Sequence, residues 1–216
     1  MSSNVLDQLS GKVITPEQLF ERVSHNISLL PLVINGMTSS KATIRYGCGK
    51  VLMRLSETHP ETVYPHMNFF VSLLDSKYRI LKWQAIHILA QLTMVDTKKK
   101  FDEIFDTYYG LMHDEYMVTV ANVVGHSGMI ACAKPYLIPR ITKELLSVEN
   151  LKTTPHLTTE CKRVISEHAI TSFDMFFPQI PTKDTVLSFV KKQTKSPRKS
   201  LQKQAQKFLK KWEKNV

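Results

Sequence analysis

The chain is expected to be all-α, a right-handed α-α superhelix of about five stacked helix pairs. Three observations predict this. First, a twelve-residue pattern returns at intervals near forty residues. Its clearest copies read Ile44, Arg45, Cys48, Val51, Leu52, Leu55; Leu81, Lys82, Ala85, Ile88, Leu89, Leu92; and Leu201, Gln202, Ala205, Phe208, Leu209, Trp212. Second, the apolar positions within each copy share one side of a helix. Third, only 7 glycines occur in 216 residues, which suits helices. A repeat of this length is one helical unit that buries its apolar face only against a neighbour.

The elements follow in order. Thr15-Pro16-Glu17-Gln18 places a hydroxyl at the N-cap, proline at N1 and glutamine at N3, so the first helix opens at Thr15. A short helix near residues 32–37 leads to a strong helix at 41–57 that ends before His59-Pro60. The next pairs are expected at 61–74 and 77–93, 97–112 and 115–130, 134–148 and 157–176, and 182–194 and 198–214. Ser, Thr and Asp at the splits are positioned to cap the second helix of each pair. Weaker copies of the pattern start at Val118 and Cys161, and the Val118 copy fits poorly at Gly125, His126 and Met129. Residues 1–14 read as an N-terminal tail. Residues 15–216 read as one repeat domain with a basic last repeat, 183–216.

On Ile44-Arg45, Leu81-Lys82 and the small residues Cys48, Ala85 and Ala205, the chain resembles HEAT-type α-solenoids over about residues 38–214. The resemblance implies architecture and no particular activity. It also implies that the second helix of each pair lines a concave side. The family's arginine after the apolar start is kept only at Arg45, and its aspartate before the second helix is clear only at Asp75 and Asp114.

At about 100° per residue, the third, seventh and tenth pattern positions point away from the buried stripe. The third row is Tyr46, Trp83, Val120, Arg163, Lys203. The seventh is Lys50, His87, Val124, Glu167, Lys207, and the tenth is Met53, Ala90, Ser127, Ile170, Lys210. Val120, Val124 and Ile170 look like packing between repeats. Tyr46 and Trp83, flanked by Lys50 and His87, form a candidate site for a partner's side chain, because aromatic anchors carry interface energy.

Residues 183–216 hold eleven Lys and Arg against two acids, and so nine of the ten net positive charges. Lys199, Lys203, Lys207, Lys210, Lys211 and Lys214 cover one side of the final helix. They form a candidate polyanion surface whose competing reading is a solvated cap. Lysine contacts phosphate as a point charge and reads little base identity.

No nucleotide-binding glycine loop and no HExxH zinc motif occurs. Gly125-His126-Ser127-Gly128 is one residue short of a nucleophile elbow. Cys48 is a weakly supported candidate for a reactive thiol, since only Lys50 is near enough in sequence to activate it. No cofactor or metal is expected. A HEAT-like alkylated-base DNA glycosylase would require a carboxylate four residues after its tryptophan, where this chain has His87 after Trp83. With no long apolar run, no signal segment and three cysteines, a cytoplasmic protein away from membranes is expected. The reading is a non-catalytic scaffold binding another protein or peptide. The alternative is a nucleic-acid-binding repeat protein, the glycosylase being its least favoured form.

Overall fold

Thr15 and Gln18 form the expected reciprocal cap. The Thr15 hydroxyl accepts the Gln18 N–H at 3.2 Å, and the Gln18 side chain accepts the Thr15 N–H at 2.9 Å. The computed structural model describes residues 5–212, and its regular elements there are helices, 81% of those residues, with no strand. Among these residues no helix is long and apolar enough to cross a membrane. The helices gather into two compact units, Met1–Lys99 and Lys100–Val216.

The first unit holds α1 (Val5–Ser10), α2 (Pro16–His25), α3 (Leu30–Gly36), α4 (Ala42–Thr58), α5 (Pro60–Val63), α6 (Met67–Ser72) and α7 (Arg79–Leu92). Helix α4 is its centre: α1, α2, α3 and α7 all pack on it. The segment expected to be a tail therefore contributes α1, whose Leu9 is buried. Small residues on α4 allow the close approach. A Cβ on Gly47 would lie 3.0 Å from Leu9, and one on Gly49 would overlap the buried Gln84 of α7. Gln84 in turn donates to the Tyr46 carbonyl at 3.1 Å. The first helix of the next pair is broken at Tyr64–His66, where Pro65 removes a helical donor.

The second unit holds α8 (Lys100–Glu103), α9 (Phe105–Gly110), α10 (Met117–Ala133), α11 (Ile138–Leu146), α12 (Thr159–Phe176), α13 (Lys183–Gln193) and α14 (Lys199–Trp212). Helix α12 packs between α10 and α14. Buried aromatics fill the unit, among them Phe101, Phe105, Tyr108, Phe173 and Phe189. The long connection before α12 folds back onto the start of α10. Thr154 donates to the Glu115 carbonyl at 2.7 Å, the His156 carbonyl accepts the Met117 N–H at 3.2 Å, and the Tyr116 and His156 rings stack at 4.4 Å. One of the unpaired donors that begin every helix is thus satisfied by the loop.

The splits between paired helices work differently from the expected caps. Ser39 accepts the N–H of Lys41, Ser76 that of Tyr78, Asp114 that of Tyr116 and Ser196 that of Arg198, at 2.9–3.3 Å. Each is a side-chain turn onto the residue two ahead, outside the helix proper. Among these splits Thr158, before α12, caps through the third helical N–H, as Thr15 does before α2. These turns set the register. The pattern begins three residues after each accepted N–H, at Ile44, Leu81, Leu201 and, in the middle copy, Thr119. The Val118 start was therefore one residue early: Thr119 is fully buried, and Val118 is 40% exposed.

Candidate functional site

That register shift corrects the outward rows. Val120, Val124 and Ser127 are fully buried, as are Ala90 and Ile170, so none of them faces a partner. In their place Ala121 and the exposed Gly125 occupy the outward positions of α10. Both line a shallow trough of about 450 Å³ with Val118, His126 and His168.

Tyr46 on α4 and Trp83 on α7 are half-buried, Lys50 is exposed and His87 is half-buried. Tyr46 is held from behind. The buried Arg45 donates to its hydroxyl at 3.3 Å and lies 4.7 Å from its ring centre. His87 meets the Glu57 carboxylate of α4 at 3.0 Å, and Arg54 reaches the same carboxylate at 3.6 Å. Beside Lys50 opens a groove of about 530 Å³ between α2 and α4, with Phe20, Val51 and Met53 as its apolar wall. Glu17, Glu21, Arg54 and Glu57 are its rim. The Glu17 carboxyl is held below its usual range by its own backbone N–H, by the Thr15 hydroxyl and, least, by Lys50. This groove was not visible in the repeat pattern, because Phe20 reads as an ordinary apolar position of the first helix. Lys50 and Glu57 join it to the Tyr46–Trp83 face.

Burial holds the His87 imidazole below its usual pKa, against the opposing pull of Glu57. The folded state therefore resists a proton that the unfolded chain accepts near its ordinary pKa of about 6.5. Stability is expected to fall as pH drops through that value and to be indifferent to His87 above it. Burial lowers His168 in the same direction. Urea midpoints at about pH 7.5 and 5.5 for His87→Gln should differ less than those of the parent. Equal differences would mean that His87 is not protonation-sensitive.

Other candidates are absorbed by packing. Ser127 donates to the Val123 carbonyl at 2.8 Å and receives from the Tyr109 hydroxyl at 3.1 Å, so its oxygen is no nucleophile. Cys48 is fully buried, and burial pushes its thiol up to about 12. Iodoacetamide is expected to label exposed Cys132 first and half-buried Cys161 more slowly, leaving Cys48 untouched until the chain unfolds. Labelling of native Cys48 at the rate of Cys132 would contradict its burial.

The lysine surface of α14 is split. Lys199, Lys203, Lys207 and Lys210 are exposed. Lys211 is also exposed but bonds Asp174 at 2.8 Å, and Lys214 lies outside the described residues. Glu160, Glu167 and Asp174 stand seven residues apart on α12, facing α14. Arg198 bonds Glu160 at 2.7 Å and Glu167 at 3.0 Å, Ser200 donates to Glu167 at 2.9 Å, and Trp212 donates to Asp174 at 2.6 Å. Part of the basic charge is thus neutralised within the unit.

A designed armadillo repeat protein matches 95% of this chain and 89% of its own length, with a TM-score of 0.61 at 15% identity. The fold is an all-α helical-repeat solenoid. An engineered protein matches 95% of the chain and 86% of its own, with a TM-score of 0.58 at 14% identity. No family model matches the sequence, and no curated protein is significantly similar to it. At these identities the likeness of the solenoid to its neighbours concerns the fold alone.

Proposed function

We propose that the protein is a non-catalytic repeat scaffold that docks a peptide or short helix of another protein on the α4–α7 face. The observation supporting this is the half-buried Tyr46 and Trp83 on the packed helices α4 and α7, with exposed Lys50 one turn after Tyr46 and lining the α2–α4 groove. Aromatic side chains held in place behind and reachable in front are the usual anchors of an interface. A groove with an apolar wall and a charged rim accepts an apolar side chain flanked by polar ones. Repeat folds offer such extended surfaces. Three free cysteines suit a reducing compartment, and the cytoplasm is the proposed location.

Peptides selected from a displayed random library on the immobilised protein provide the test. Their affinity should fall about 30-fold for Trp83→Ala or Tyr46→Ala, the loss typical of a hot-spot truncation. Circular dichroism should show both variants folded. Selected peptides that bind Tyr46→Ala, Trp83→Ala and Lys50→Glu as tightly as the parent would place the docking site elsewhere.

A further inference from the structure

A second surface, on the other unit, has different chemistry. Between α12 and α14 lies a groove of about 320 Å³. Buried Ile170 and Phe208 lie along it, and Lys203 and Lys207 stand on its α14 side. Among the described residues, the side chains of Lys199, Lys203, Lys207 and Lys210 make no hydrogen bond or ion pair. They recur at three- and four-residue steps along about 16 Å of helix, one ammonium per turn.

We infer that this groove docks an acidic amphipathic helix of a partner protein. Carboxylates repeating at i, i+4 and i+7 on such a helix match the lysine spacing, and an adjacent apolar stripe fills the groove. A nucleic-acid backbone matches less of it. A phosphodiester chain carries no apolar side chain to enter the groove between α12 and α14, whereas an amphipathic helix does. The α12 carboxylates Glu160, Glu167 and Asp174 already hold Arg198 and Lys211, and among the described residues of α14 Lys199, Lys203, Lys207 and Lys210 carry positive charge that no such pair neutralises. This site is independent of the α4–α7 face, and Trp83→Ala should leave it unchanged.

The test uses the full chain and a labelled helical peptide of about 18 residues, with glutamates at i, i+4, i+7 and i+11 and leucines on the adjoining stripe. Binding is read by fluorescence anisotropy at about 50 mM salt, with a labelled DNA duplex as competing probe. The peptide should bind more tightly than the duplex. Lys203→Gln, Lys207→Gln and Lys210→Gln together should weaken it roughly tenfold, from three exposed charge pairs. Thr171→Phe keeps every lysine but fills the groove, and should weaken the peptide while sparing any duplex binding. Tighter binding of the duplex would assign the surface to nucleic acid. No binding of the peptide, or equal binding by both variants, would make the lysines a solvated surface.

Discussion

Gly128→Val is expected to lower stability by about 3 kcal/mol, and Gly128→Ala by about 1–2 kcal/mol, each measured by urea unfolding. A Cβ at Gly128 would lie 2.5 Å from the Met175 sulfur, 3.0 Å from the Ser172 carbonyl oxygen and 3.1 Å from the Ser172 Cα. Met175 is 51% exposed and can swing aside. The Ser172 backbone is fixed by its own side chain, whose hydroxyl donates to the Val124 carbonyl of α10 at 2.6 Å. Relieving the clash therefore means separating α10 from α12 and stretching that bond. Alanine normally gains about 1 kcal/mol over glycine inside a helix, so the clash has to exceed that gain for the sign to be unfavourable. Gly110 supplies the comparison. It has helical dihedrals, and nothing lies within 4 Å of a Cβ built there. Gly110→Ala should stabilise by about 0.5–1 kcal/mol. If Gly128→Ala stabilises as Gly110→Ala does, the two helices are not held at the distance described.

Arg45→Met should cost about 2–3 kcal/mol, and Arg45→Lys somewhat less. Arg45 is only 6% exposed although charged. Its guanidinium donates to the Ser39 carbonyl at 2.7 Å and the Ser40 carbonyl at 3.1 Å, and lies 3.9 Å from the Tyr78 ring centre. Hydrogen bonds to a charged donor are worth about 1.5–3 kcal/mol each, and an arginine over an aromatic ring about 0.5–2 kcal/mol. Both serines lie near the surface, so water replaces part of what methionine loses. Lysine keeps the charge without the planar fork that spans two carbonyls and stacks on the ring. A change below about 0.5 kcal/mol for Arg45→Met would show that the turn before α4 holds without this clasp. The last copy of the pattern uses an uncharged version of the same contact, in which Gln202 donates to the Thr194 carbonyl at 2.9 Å.

The all-α architecture and most helix positions were legible in the sequence. Burial of Ile44, Cys48, Val51, Leu52 and Leu55 follows from helical spacing alone, since a packed helix hides one stripe and the chain repeats that stripe. The Thr15 cap was readable for the same reason: all its partners lie within four residues. The one-residue register of α10 was not legible, because Val118, Val120, Val123 and Val124 offer several equivalent apolar stripes, and only the Asp114 turn chooses among them. Exposure at the outward positions depended on what packs across them. Trp83 remains half open, whereas Ala90 and Ser127 are covered by neighbouring elements that the helical period of their own segment does not report. Charge was subject to the same limit. The sequence located the lysines of α14, but the acids that neutralise Arg198 and Lys211 lie 31 to 38 residues away on α12, and only tertiary packing brings them within bonding distance.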